Sequence, residues 1–391
     1  MRGTAAAIAL VFAGATAPAF AQTCGGDFPT WLDAARTEAI EKGVGERGLA
    51  ALAQARPDQI VLNADRAQHV FTQTFAEFSD RMISAYRLKQ GAANLQKYAS
   101  VFARAEQEFG VPAPVIAAFW ALETDFGAVQ GDFNTLNALV TLSHDCRRPD
   151  LFRPQIFALL TLIDRGMLPA DVKGAWAGEI GQMQMLPTDI LARGQDGDGD
   201  GIVDVRSSAP DAILTTAAKI KSRGWQAGKP WIMEVRIPDS LPWEKTGRTN
   251  KLPLSQWAEW GVTTRDGSPL QGDDAAGLVL PMGHKGPAFL TFDNYDVYLE
   301  WNQSFIYTLT AAHLASRLAG APKFDRRSPE PGLSLETMKQ LQTKLQARGH
   351  DVGKIDGILG VGTREAVRQE QMRLGLVVDG WPTPALLSNL Q

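Results

Sequence analysis

The sequence predicts a mainly α-helical chain that carries a small β-rich insertion and ends in a small three-helix domain. Three observations predict it. Apolar residues recur at helical spacing from Asp27 to Arg223. From Lys229 to Pro281 the character changes to Pro, Trp and short extended runs such as Trp231–Ile237. Ala321–Gly332, APKFDRRSPEPG, then has the Pro and charge content of a linker before one more helical segment. With 391 residues, the chain has room for more than one core.

The chain opens on Arg2, an apolar run from Ala5 to Ala13, and Ala19-Phe20-Ala21. This pattern predicts a secretory signal over residues 1–21, cleaved before Gln22. The run is too short for a spanning helix, and no later segment approaches the roughly 20 apolar residues a span needs. The formal charge of −4 comes without basic blocks, which argues against a nucleic-acid partner.

Residues 22–320 read as the first domain. Phe28, Trp31, Leu32, Ala35 and Ala39 form one helical stripe, and Val70, Phe71, Phe75, Phe78 and Met82 another. Ala92–Phe109 reads as a single helix ending at Gly110. The next helix, within Val111–Gly127, is central: Pro112 and Pro114 suit its first turn and Gly127 its end. Ile116, Phe119, Trp120 and Glu123 share one face, which is apolar except for that carboxylate. A Glu there either has a partner, such as a buried Arg, or is turned to the helix edge. Otherwise it is desolvated and keeps its proton, as a general acid must.

Further helices are expected at Leu136–Leu142, Leu151–Ile163 and Ala212–Arg223. Between them Arg147 and Arg148 read as a carboxylate-binding pair or as surface charge. Gly174–Thr188, GAWAGEIGQMQMLPT, reads as a loop. Its glycines permit close backbone approach to a ligand, and the Gln182 and Gln184 amides both donate and accept.

Asp196, Asp198 and Asp200 with Gly201 reproduce positions 1, 3, 5 and 6 of an EF-hand loop. The Ile202 carbonyl would take position 7 and Asp204 position 9. Ser207 stands where the closing Glu belongs, and Asp211 is the candidate to close a longer loop. The pattern points to Ca²⁺; the alternative is a solvated Asp-Gly turn. Cys24 and Cys146 are compatible with one disulfide in an oxidising compartment, or with two free thiols.

In the β-rich insertion Trp257 and Trp260 are expected to be partly exposed. A last helix of the first domain runs from Ser304 to Leu318. Residues 321–332 are the expected linker and 333–391 the second domain. There Leu335, Met338, Leu341 and Leu345 mark a helix, and Ile355-Asp356-Gly357 and Val378-Asp379-Gly380 are two matching turns.

Taken in order, these motifs resemble the lytic murein transglycosylase B family (glycoside hydrolase family 103) from about Asp27 to Leu318. The resemblance implies a lysozyme-like domain in which Glu123, within ALETDFG, is the single catalytic acid and then base. It implies substrate contacts from Arg147, Arg148, Gln184, Trp301, Asn302 and Tyr307. It implies structural calcium at the Asp196 loop, which closes on a later Asp. Its substrate would be peptidoglycan glycan strands, cleaved without hydrolysis to 1,6-anhydromuramoyl ends in the periplasm. A monomer is expected, with cell-wall synthesis proteins as candidate partners. Ala175 and Glu179 depart from the family's usual loop.

The C-terminal domain resembles the peptidoglycan-binding domain 1 family through Leu341, Gly349, the two Asp-Gly turns, Thr363, Ala366-Val367 and Gln371. Glu370 replaces a usual Phe there, and Trp381-Pro382 replaces a Gly-containing turn.

Overall fold

A computed structural model describes residues 24–67 and 73–390. The predicted signal segment lies outside the described residues, as do Val70 and Phe71. Helices dominate. In chain order they begin α1 (Phe28–Glu41), α2 (Glu46–Ala53), α3 (Gln59–Arg66), α4 (Phe75–Met82), α5 (Ala85–Lys97), α6 (Ala99–Phe109) and α7 (Ala113–Thr124). The single helix expected over Ala92–Phe109 is interrupted at Tyr98, where the chain leaves the helical region between α5 and α6.

β1 (Phe133–Asn134) and β2 (Lys173–Gly174) form a two-stranded ribbon around α8 (Thr135–His144) and α9 (Pro149–Asp164). Then come α10 (Pro187–Arg193) and α11 (Ala209–Ser222). The insertion holds β3 (Ile232–Arg236), β4 (Leu252–Pro253), α12 (Leu254–Glu259), β5 (Thr263–Thr264), β6 (Ala275–Val279) and β7 (Ala288–Thr291). These five strands pair antiparallel in the order β4-β6-β7-β3-β5, so the sheet runs past the expected end at Pro281. It has a core of its own, centred on Trp257, Leu278 and Leu290. Trp257 is fully buried, contrary to the expected partial exposure, and its Nε1–H is satisfied by the Ala276 carbonyl at 2.8 Å.

α13 (Asp293–Trp301) and α14 (Phe305–Leu318) complete the first domain. α7 is enclosed by α5, α6, α11 and α14. It therefore buries residues all round, from Val115 to Leu122, rather than on the one face expected.

The C-terminal domain is α15 (Leu335–Ala347), α16 (Val361–Arg373) and α17 (Pro384–Asn389) around Leu341, Leu345, Val367 and Leu386. Its two turns are held by two matching glutamines. Gln342 accepts from Gly357 N at 2.8 Å and donates to the Ile358 carbonyl at 3.0 Å. Gln371 accepts from Gly380 N at 2.9 Å and donates to Asp379 at 2.8 Å. Glu370 is buried where an aromatic was expected. Burial disfavours its charge, but His350, Arg373 and Arg348 hold it down at about 2.

Residues 321–332 have no helix or strand, yet they are not a free tether. Phe324 is buried against Phe75, Phe289 and His313. Lys323 and Arg326 both pair with Asp80, and Arg327 donates to the His284 and Gly286 carbonyls. The charges read as linker composition are thus ties to the first domain. Trp381 joins the first domain's core, its Nε1 donating to the Glu330 carbonyl at 3.0 Å. Beside it, His284 Nδ1 meets Asp379 Oδ2 at 2.6 Å.

Candidate active site

Glu123 sits on the last turn of α7. The chain then takes three consecutive left-handed residues, Asp125, Phe126 and Gly127. Two of these are not glycine, a strained reversal that needs outside support. Asp125 is paired to Arg87 at 2.6 Å, and Thr124 Oγ1 donates to the Gln182 carbonyl while accepting from Gly127 N at 2.8 Å. The helix end and the Gly174–Thr188 loop are thereby locked together.

Glu123 is half-buried. Trp301 Nε1 donates to its Oε1 at 3.0 Å, and the Tyr307 hydroxyl donates to that same oxygen. Oε2 has no protein donor among the described residues. Burial raises the carboxyl above its ordinary value, against the lowering pull of Tyr307, Trp301 and Lys219. Trp301 stacks on Phe119 with centroids 4.3 Å apart, which places apolar surface beside the carboxyl. Lys219 Nζ lies 4.0 Å from the Trp301 ring centroid and 3.1 Å from Asp189 Oδ2. Only 8% exposed, Lys219 is held below its usual value by burial, which Asp189 opposes.

Arg147 and Arg148 converge on Asp65 Oδ1, at 2.7 and 2.5 Å, and Asp65 is buried. The pair is thus anchored from below, and the buried Nε of Arg148 has no partner among the described residues. Gln184 sits at φ +47° and donates to the Gly181 carbonyl at 2.9 Å, and its amide oxygen has no partner among the described residues. Gln182 departs from the expected substrate contact. It is buried, and its Nε2 donates to the Arg206 carbonyl at 3.1 Å, so it braces the loop. Asn302 caps the corner between α13 and α14 by accepting from Ser304 N at 2.9 Å.

The structure brings together Glu123, Trp301 and Tyr307. Asp65, Asp189 and Lys219 were not singled out from the sequence. The one usable signal was Lys219, a cation inside the apolar run of α11. Tyr307 and Asn302 also line a cavity whose far wall is Ile358–Val361 of the C-terminal domain.

In the Asp loop, carboxylate oxygens of Asp196, Asp198 and Asp211 lie within 4.8 Å of one another. Ser208 Oγ bridges Asp198 and Asp211 at 2.6 and 2.9 Å. Asp211 is buried, and burial raises its carboxyl above the ordinary range, so a cation would favour its charged form. This hard, all-oxygen donor set fits Ca²⁺. Asp200 stands outside the trio, its Oδ1 accepting from Ile202 N at 2.8 Å in a local turn. Cys24 and Cys146 form a disulfide that ties the N-terminal end to the segment after α8.

A family model of the transglycosylase SLT domain matches residues 27–316. The chain belongs to that family. Residues 334–390 match a peptidoglycan binding domain family. The chain is 36% identical to SltB3 from Pseudomonas aeruginosa, with a TM-score of 0.85 over 94% of this chain and 100% of that one. That structure holds NAG-anhNAM-pentapeptide. The chain is 27% identical to the membrane-bound lytic murein transglycosylase B of Escherichia coli (strain K12). That match spans 62% of this chain and 66% of that protein, just under two thirds of its length. The Escherichia coli lytic transglycosylase Slt35 in complex with calcium superposes with a TM-score of 0.62 at 27% identity, over 76% of this chain and 96% of that one. The fold is lysozyme-like, with a small five-stranded sheet.

Proposed function

We propose that this transglycosylase cleaves the MurNAc–GlcNAc β-1,4 bond of peptidoglycan in the periplasm without hydrolysis, leaving a 1,6-anhydromuramoyl end. The observation that carries this reading is Glu123: desolvated, held through Oε1 by Trp301 and Tyr307, with no donor to Oε2 among the described residues. Glu123 first gives its proton to the leaving glycosidic oxygen as the bond to C1 breaks. It then takes the proton of the sugar's 6-hydroxyl as that oxygen bonds to C1. One carboxyl serves both steps, and the 2-acetamido group stabilises the cation-like transition state. The anhydro sugar bound by SltB3 supports the same product here.

Gln184 and Arg148 offer an acceptor and a donor for orienting the glycan and its peptide stem, with Arg147 beside them. Asp196, Asp198 and Asp211, with the Ile202 carbonyl, would hold Ca²⁺ as a brace for the loop entering α11. It supplies charge neutralisation and takes no part in the proton steps. The C-terminal domain would bind the wall, and its docked position keeps that contact next to the cleft.

A hydrolytic muramidase is the second reading, favoured by Glu179, a second acid in the active-site loop. Mass spectrometry of digested murein separates the two, since the anhydro product is one water lighter than a hydrolysed end. We expect anhydro ends from the wild type and, for Glu123→Gln, a loss on the order of a thousandfold. Hydrolysed ends only, or an active Glu123→Gln, would reject the proposal.

A further inference from the structure

Lys219 is a buried cation that the mechanism above leaves without a task. It lies on α11, with Nζ 3.1 Å from Asp189 Oδ2 and over the Trp301 ring, 4.0 Å from its centroid. Pairing with Asp189 does not account for it. The other oxygen of that buried carboxylate already meets Arg193 at 3.1 Å and Arg223 at 3.8 Å. Asp189 therefore has cations enough without Lys219. Burying an ammonium costs free energy that such a pair returns only in part, and an apolar side chain of similar length would fill the space. What the ammonium adds is a positive charge over the Trp301 ring.

Trp301 links that charge to the acid. Its ring stacks on Phe119 with centroids 4.3 Å apart, and its Nε1 donates to Glu123 Oε1 at 3.0 Å. Phe119 and Glu123 lie one turn apart on α7, so the stack and the hydrogen bond fix the indole to one helix. A cation over the ring is attracted by the negative face of the π system, and burial strengthens that attraction. It also draws electron density towards itself, which makes the Nε1–H a stronger donor, as polar groups in series polarise one another.

We propose that Lys219 is a positioning residue for the reaction: its ammonium fixes and polarises the Trp301 indole, so that Nε1–H holds Glu123 Oε1 in the carboxylate form left after proton transfer to the leaving oxygen. Its ion and ring contacts are Asp189 and Trp301, so it acts on Glu123 through the indole. The sign of its charge agrees. Burial raises the Glu123 carboxyl, and Tyr307, Trp301 and Lys219 all oppose that rise. The other charged groups acting on this pair are Asp189 from α10 and Arg223 at the end of α11, with Glu179 from the loop sensing both Glu123 and Lys219. The proposal rests on the reading of Glu123 as the acid.

The test compares Lys219→Gln, which keeps a donor for Asp189 and drops the charge, with Lys219→Arg, which keeps a charge able to stack on the indole. On a soluble GlcNAc–MurNAc tetrasaccharide pentapeptide, Lys219→Gln is expected to lower kcat about tenfold with KM little changed, and Lys219→Arg to recover most of that loss. Without the cation Glu123 keeps its proton to higher pH, so the alkaline limb of Lys219→Gln should move up while that of Lys219→Arg stays. In a Trp301→Phe background the Gln substitution should cost far less, since the effect passes through the indole. The Trp301 Nε1–H signal in nitrogen-15 spectra, assigned by its loss in Trp301→Phe, should move in Lys219→Gln towards weaker hydrogen bonding. A lowered melting temperature with the alkaline limb and the indole signal unmoved would show that Lys219 only braces α10 against α11, and would overturn the proposal. Equal cost in the wild-type and Trp301→Phe backgrounds would also overturn it. Lys219→Met replaces Lys219→Gln if the latter does not fold, and failure of both to fold would assign the charge to the fold instead. The indole signal is read without substrate, so activity surviving in Glu123→Gln would remove the underlying mechanism while leaving that result standing.

Discussion

Trp301 Nε1 and Glu123 Oε1 are 3.0 Å apart, and the Tyr307 hydroxyl donates to the same oxygen, so one carboxylate oxygen is clamped while the other faces the cleft. The clamp sets both geometry and proton affinity. Both donors favour the charged form, so they pull the carboxyl down against the upward push of burial. Without them Glu123 would be a stronger holder of its proton and a poorer donor to the leaving oxygen.

Tyr307→Phe removes one of those donors and little volume. Glu123 then keeps its proton to higher pH, so the alkaline limb of the kcat/KM profile should move to higher pH. Loss of a hydrogen bond to a charged group should also lower kcat by about tenfold or more. Stopped assays of muropeptide release across pH check both effects. An alkaline limb that stays put, or moves to lower pH, would show that Tyr307 does not tune Glu123.

The Asp loop makes a separate prediction for metal removal. Chelation by EGTA should lower the melting temperature by a few degrees, with recovery on Ca²⁺ addition, since a cation bound only by the folded chain stabilises it by mass action. Asp211→Asn should abolish the Ca²⁺ response, because that buried side chain closes the trio and also accepts from Gly197 N and Asp204 N. Asp200→Asn should weaken it much less. Calorimetric scans with and without Ca²⁺ decide the matter, and identical scans would count against a calcium site.

The disulfide closes a loop of 122 residues. In the chain-entropy model such a loop contributes roughly 4–5 kcal/mol. Reduction with dithiothreitol, or Cys146→Ser, should lower the melting temperature substantially while leaving the reaction products unchanged. The bond lies beside α1 and His144. A reduced protein that melts with the oxidised one would show that the crosslink adds nothing.

The parts of this molecule written locally were legible in the sequence. The start of α7 followed from Pro112 and Pro114, though the helix ends at Thr124, before the expected Gly127, and Glu123 stood out as the polar residue in an apolar run. The Asp loop followed from its spacing. What was not legible depends on contacts between distant segments. Gln182 read as an amide available to a ligand, but its Nε2 donates to the Arg206 carbonyl. Trp257 looked exposed in a Pro-rich stretch, but a five-stranded sheet closes over it. Lys219 and Asp65 acquire their roles only when α11 and α3 are brought to the cleft. Residues 321–332 had linker composition, yet Asp80, Glu234 and His284 provide partners that composition alone cannot show.

That last difference leads to a prediction about the docked C-terminal domain. Trp381 carries much of the docking, buried in the first domain's core and bonded to the Glu330 carbonyl. Arg364 and Arg368 add bonds to the Pro281 and Thr246 carbonyls, and Asp379 meets His284. Trp381→Ala removes the apolar anchor, at a cost of about 3–5 kcal/mol for a buried Trp. The C-terminal core of Leu341, Leu345 and Val367 does not include Trp381, so the domain should stay folded while its docking weakens. Residues 321–332 should then become open to limited proteolysis, cut within the strap into two stable fragments. Arg368→Ala should act in the same direction, since it removes the bonds to the Glu244 and Thr246 carbonyls. Wild-type resistance in both variants would mean that the strap's ties through Phe324, Lys323 and Arg326 suffice to hold the two domains together.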